Sequence, residues 1–226
     1  MTTISIQDFY SRKFETESTK ILLETPSLFS VEAMERYVYK LMQYKLDEYI
    51  HYLHFNPNKI EITSKDITQL SSIEDCTINM CRVMLSRINC GLSFPEIASE
   101  LHVDDSYKDN LVALMKYGEN QVKTAAQLGL CVFWNDLWYL SSVGYIFLNL
   151  PENVQNKYLS INLLRDPFYS KVIISLCQKD TCLQDFMQIL SESTQKRRAS
   201  SCKRVMEFFY RQCNEENVKI YNIIKK

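Results

Sequence analysis

The chain has 226 residues, 46% hydrophobic and 23% charged, with only 4 Gly and 5 Pro. That length buries a real core, and the scarcity of Gly and Pro argues against disordered and collagen-like chains and against Gly-rich phosphate loops. The net charge of -1 hides a gradient: residues 1–70 hold 8 basic and 10 acidic side chains, residues 71–155 hold 5 and 10, and residues 156–226 hold 13 and 7. An acidic middle and a basic last third point to different partners for different parts of one chain.

Met1–Ser5 lacks the basic and apolar regions of a signal peptide. The longest uncharged stretch, Leu137 to Pro151, has 15 residues, short of the ~20 that a spanning helix needs. The expectation is a cytoplasmic protein with no membrane contact. Eight Cys, at 76, 81, 90, 131, 177, 182, 202 and 213, fall mostly in apolar segments, and no C-x-x-C pair exists. They read as reduced, buried thiols without structural metal or disulfide.

Residues 1–30 read as irregular or weakly helical, broken at Pro26-Ser27. Ser30 can cap a helix with Glu32 and Glu35 in its first turn. From Val31 to about Leu53 the apolar residues recur at helical spacing, and Asn56-Pro57-Asn58 ends the run. Ile60 to Ile62 alternates like a short strand, and Thr63 to Asp66 opens a turn. A second helix is expected from Ile73 to Asn89, ended by Gly91 as a left-handed cap. Ser93, Pro95 and Glu96 form a helix start, with Ile97, Ala98 and Leu101 facing inward. A longer helix follows from Asp105 or Ser106 to about Leu128. Its inward residues are Leu111, Leu114, Met115, Val122, Ala125 and Ala126; Gly118 bends or divides it and Gly129 caps it. Two β-prone runs, Leu130 to Trp134 and Leu137 to Leu140, flank Asn135-Asp136 and predict a hairpin. Ser141 then caps a short helix, Val143 to Leu150, stopped by Pro151.

The order helix, short helix, helix, hairpin, helix is that of a winged helix-turn-helix. Leu128-Gly129-Leu130, Tyr139-Leu140-Ser141 and Gly144 resemble the second half of bacterial winged-helix domains of the restriction- and defence-associated type. There a recognition helix ends at such a Leu-Gly-Leu and the wing follows. The last third repeats part of the plan: a helix from Pro167 to Gln178, a short one from Asp180-Thr181, and a third from Ser191 or Ser193 to about Arg211. Val218 to Ile224 reads as a final strand. The segment Thr194 to Phe209 resembles the recognition-helix region of the same proteins, although the hairpin expected after it is short or missing.

On the 194–211 helix, Cys202, Val205, Met206 and Phe209 share one face. Arg197, Ser201 and Arg204 are placed on the opposite face, with Lys196, Arg198 and Lys203 beside them. A helix that buries one side and shows a basic side fits the major groove, where Lys and Arg displace phosphate counterions. The equivalent helix of the middle third offers Lys108, Lys116, Asn120 and Lys123, offset by Asp105, Asp109 and Glu119, and fits a protein partner better. Tyr37, Tyr39, Tyr44, Tyr49 and Tyr52 crowd the 31–53 helix. Tyr37, Tyr44, Tyr49 and Tyr52 are the candidate protein interface, since Tyr favours interfaces. Glu48, His51 and His54 share a helix edge but lack the further ligands a metal needs. His102 falls at a turn. No hydrolase, P-loop or deaminase motif occurs, and Glu61 to Lys65 has the wrong spacing for a restriction nuclease.

The sequence therefore predicts a mainly α chain: an N-terminal helical region at 1–70, then two winged-helix-like units at 71–155 and 156–226. The expected role is a non-catalytic, DNA-associating subunit of a bacterial defence, restriction or chromosome-related complex, without cofactor or metal. Its partners would be double-stranded DNA and an ATPase subunit, a nuclease subunit or a second copy. The alternatives are a protein-bridging accessory subunit of an SMC-type ATPase, a stand-alone dimeric transcription regulator, and an undetected nuclease.

Overall fold

The structure, a computed structural model, describes residues 43, 45–55, 62, 67, 72–87, 90–101, 110–178, 183–188 and 190–215. Among these the helices in chain order are α1 (Leu46–Phe55), α2 (Ile78–Ser86), α3 (Phe94–Glu100), α4 (Leu111–Gln127), α5 (Ser142–Leu148), α6 (Glu152–Leu163), α7 (Pro167–Gln178), α8 (Leu183–Met187) and α9 (Glu192–Glu215). Between α4 and α5 lies one antiparallel pair, β1 (Cys131–Trp134) and β2 (Leu137–Leu140). The described chain is thus mainly helical with one small hairpin. No described helix is long and apolar enough to cross a membrane. The expectations for residues 1–30, Tyr37, Tyr44, positions 60 and 61 of the short strand, His102, Cys182 and the 218–224 strand lie outside the described residues.

The described residues fall into two compact units. The first lies within Ser71–Pro151; the second lies within Leu41–Leu70 and Glu152–Lys226. The grouping differs from the expected partition, because α1 packs on α6 and α7. Leu46 and Ile50, one turn apart, are its buried residues.

In the first unit, α2 starts later than expected. Residues 73–77 are wound as turns in which Ser72 Oγ accepts from the Asp75 amide (3.2 Å), while Asp75 Oδ1 accepts from Asn79 (2.9 Å). Short polar side chains compete with helical bonds in this way. Asp75 also accepts from Tyr117 Oη at 2.8 Å. Gly91 is left-handed (φ 63°), and the next residue, Leu92, exchanges both backbone bonds with Trp138 at 2.9 Å. Ser93 opens α3 with a capping box: the Glu96 carboxylate accepts from the Ser93 amide (2.8 Å) and hydroxyl. Those bonds hold the Glu96 carboxyl below its usual range. Ile97, Ala98 and Leu101 are buried.

The described α4 begins at Leu111, where Asn110 Oδ1 caps the Ala113 amide at 3.0 Å. The expected start at Asp105 or Ser106 is outside the described residues. Val122 and Ala125 are buried as expected, whereas Leu111 (61%) and Met115 (42%) are exposed. The helix runs undivided through Gly118. Gly118 is the point where α4 crosses α3, and a Cβ there would overlap the Phe94 carbonyl. Asn135 (φ 47°) and Asp136 (φ 63°) are both left-handed, as a two-residue hairpin turn requires. Ser141 then joins three segments. Its hydroxyl donates to the Gly129 carbonyl and accepts from the Gly144 amide (2.9 Å), and its own amide donates to Leu130 (3.0 Å).

In the second unit, α6 was not foreseen. Val154, Gln155, Tyr158, Leu159, Ser160, Ile161 and Leu163 are all buried, so polar and apolar residues alternate inside the core and no stripe is readable. Asp166 Oδ1 caps α7 through the Phe168 (2.8 Å) and Tyr169 (3.3 Å) amides, with Pro167 at the first helical position. Phe168, Tyr169, Val172, Ile173 and Leu176 are fully buried.

Candidate nucleic-acid interface

Helix α9 has 24 residues with neither Gly nor Pro, about 36 Å of uninterrupted helix. Ser191 Oγ donates to Thr194 Oγ1 (2.9 Å) at its start. Cys202, Val205, Met206 and Phe209 are fully buried, joined by Thr194, Phe208, Gln212 and Cys213. The helix packs on α6 and α8 through this side.

The outward side carries two rows with seven-residue spacing, which is two turns. Arg197, Arg204 and Arg211 form one, and Lys196, Lys203 and Tyr210 the other; all six are exposed. The two rows differ in what neutralises them. Lys196 pairs with Glu192 at 2.7 Å, and Lys203 sits 4.0 Å from Glu207. Arg197 donates to Thr194 Oγ1 at 3.3 Å, and no carboxylate pairs with Arg197, Arg204 or Arg211 among the described residues. Ser201 is half-buried at the edge of the arginine row.

Arg198 departs from the expected exposed face. It precedes Cys202 by four residues and Val205 by seven, so the helical turn carries it into the buried side. Arg198 is half-buried, and its Nη1 is out of contact with solvent. Burial and then the neighbouring Arg197 charge pull its pKa down. Beside it Tyr169 Oη donates to Cys202 Sγ at 3.8 Å, and burial pushes the Tyr169 hydroxyl well above its usual range. Arg211 was the outward cation overlooked in sequence; its seven-residue distance from Arg204 was the available signal.

Helix α4 presents another surface. Lys116 and Lys123 both pair with Glu119, at 2.7 and 2.5 Å. Those ammoniums hold the Glu119 carboxyl below its usual range. Beside them Leu111, Val112 and Met115 face solvent. Asn120 is half-buried, and Lys108 is outside the described residues.

On α1, Tyr49 is half-buried and Tyr52 is 58% exposed, their rings stacked at 6.3 Å. His51 and His54 both meet the exposed ring of Phe55, at 4.7 and 5.0 Å. No three His, Cys, Asp or Glu side chains are grouped to hold a metal among the described residues. The described cysteines are free thiols; Cys90 is exposed, Cys177 half-buried, and the other five buried.

No family model, curated protein or solved structure matches the chain. The arginine row of α9 is a set of three exposed cations that no described carboxylate pairs.

Proposed function

We propose that the chain is a non-catalytic, nucleic-acid-associating protein that grips a phosphate backbone through α9 and acts as a subunit of a larger complex. The observation that carries this is the row Arg197, Arg204 and Arg211, exposed and without carboxylate partners among the described residues. Such a row releases phosphate counterions on binding. The first unit is read as a winged helix. Supporting that reading are the order α2, α3, α4, hairpin, α5, the Leu92–Trp138 bridge, and the meeting of Gly129, Ser141 and Gly144 at one point. Its α4 faces a protein partner on this reading, because its lysines are spent on Glu119 and its neighbours are aliphatic.

The test uses duplex DNA with a single-stranded tail. With three phosphates engaged, log affinity falls against log salt with a slope of about -2 to -3. Arg197→Glu with Arg204→Glu weakens binding roughly 10- to 100-fold and flattens the slope. Folding survives, since both side chains are exposed. Unchanged binding by a folded double variant overturns the reading and favours the protein-bridging role.

A further inference from the structure

The outward face of α9 differs from edge to edge in how its cations are paired. Arg197, Arg204 and Arg211 line that edge for about 21 Å. The other edge carries lysines answered by Glu192 and Glu207, and it ends in Tyr210, 46% exposed. Exposed Ser200, Glu207 and Asn214 lie between the two edges.

A helix seated in the major groove, about 12 Å wide, has a phosphate backbone on either side. It meets base edges there but no open base face. On α9 the lysines are answered by Glu192 and Glu207, and an exposed aromatic ring, Tyr210, stands beside the arginine row. We infer that α9 takes an unpaired nucleic-acid strand, with its backbone along the arginine edge and its bases crossing the face toward Tyr210. The inference rests on the nucleic-acid reading above and narrows it.

Each part of the face then has a ligand group that suits it. Phosphates meet the arginines. Base edges, which mix donors and acceptors, meet Ser200, Glu207 and Asn214. A carboxylate that repels phosphate accepts well from the amino groups of cytosine or adenine. Tyr210 offers a ring to the face of a base, and an exposed aromatic next to a cationic track is the recurring arrangement for single strands. In a duplex the bases are already stacked and paired, so Tyr210 gains nothing from them.

The full chain is titrated with a mixed-sequence DNA strand of about 16 nucleotides, the upper end of common site sizes, with the RNA strand of the same sequence, and with the DNA duplex. One of the strands should bind roughly 5- to 150-fold tighter than the duplex, the range that stacking of one base supplies; the tighter strand names the sugar. Tyr210→Ala should erase that preference while duplex affinity stays constant, and Tyr210→Phe should restore it. Arg211→Glu should weaken strand and duplex alike. A duplex bound as tightly as the strands, with Arg211→Glu still weakening it, overturns the unpaired-strand inference and leaves the nucleic-acid reading standing. A preference unmoved by Tyr210→Ala also overturns the inference. Binding indifferent to Arg211→Glu and to the Arg197/Arg204 double change removes the nucleic-acid reading itself.

Discussion

Helices α4 and α9 invite comparison, because each follows a short helix and each exposes lysines. In α4, one carboxylate, Glu119, answers both Lys116 and Lys123, and the nearby exposed residues are aliphatic. In α9, Glu192 and Glu207 answer the lysines, and no described carboxylate pairs with the three arginines. A place in the chain order therefore does not assign a surface its ligand. What separates the two helices is which cations their neighbouring carboxylates pair with.

The comparison breaks most severely if the two units do not have separate cores. Phe209→Ala deletes a fully buried ring on α9 and should cost about 3–5 kcal/mol. Chemical unfolding followed by peptide-resolved hydrogen exchange should show the loss concentrated in 152–215. Equal loss of protection across 72–151 would mean that the units unfold as one. The reciprocal change is Gly118→Ala, which drives a methyl into the backbone where α3 and α4 cross. Backbone cannot yield as a flexible side chain does, so about 2–3 kcal/mol or more should be lost, with the α9 arginines still binding nucleic acid. A Gly118→Ala protein as stable as wild type would place the crossing elsewhere.

The smallest expected effect sharpens the contrast in charge. Glu119→Gln releases Lys116 and Lys123 from their shared carboxylate. If α4 faces protein, nucleic-acid affinity should rise less than ~3-fold and the salt slope should change by less than about one unit. A larger gain would show that α4 meets phosphate and is held back only by Glu119.

Much of the first unit was legible because its signals are local. Ser93 with Glu96, Asn135-Asp136 and Ser141 each settle their own turn or cap within a few residues. The second unit was less legible where the core mixes polarity. Gln155 and Ser160 are buried in α6 beside Leu159 and Ile161, so no apolar period marks that helix. Arg198 was assigned outward by its charge, whereas its distance of four residues from Cys202 turns it toward the buried side, where it is half-buried. Gly118 was read as a bend or a division because a sequence cannot show the helix that will press on it. Leu111 and Met115 were read as inward because helical period marks an apolar side, not what covers it.

The thiols carry a consequence for chemistry in time. A thiolate is the reactive form, and burial raises the pKa of Cys76, Cys81 and Cys202, so alkylation of the native chain is slow there. Cys90 is exposed and reacts at once. The remaining buried thiols are modified only when the chain around them opens. Cys76, Cys81 and Cys131 belong to one unit, and Cys202 and Cys213 to the other. Mass shifts collected over minutes to hours would therefore act as two clocks running in the same unmodified protein, each ticking at the opening rate of its own core.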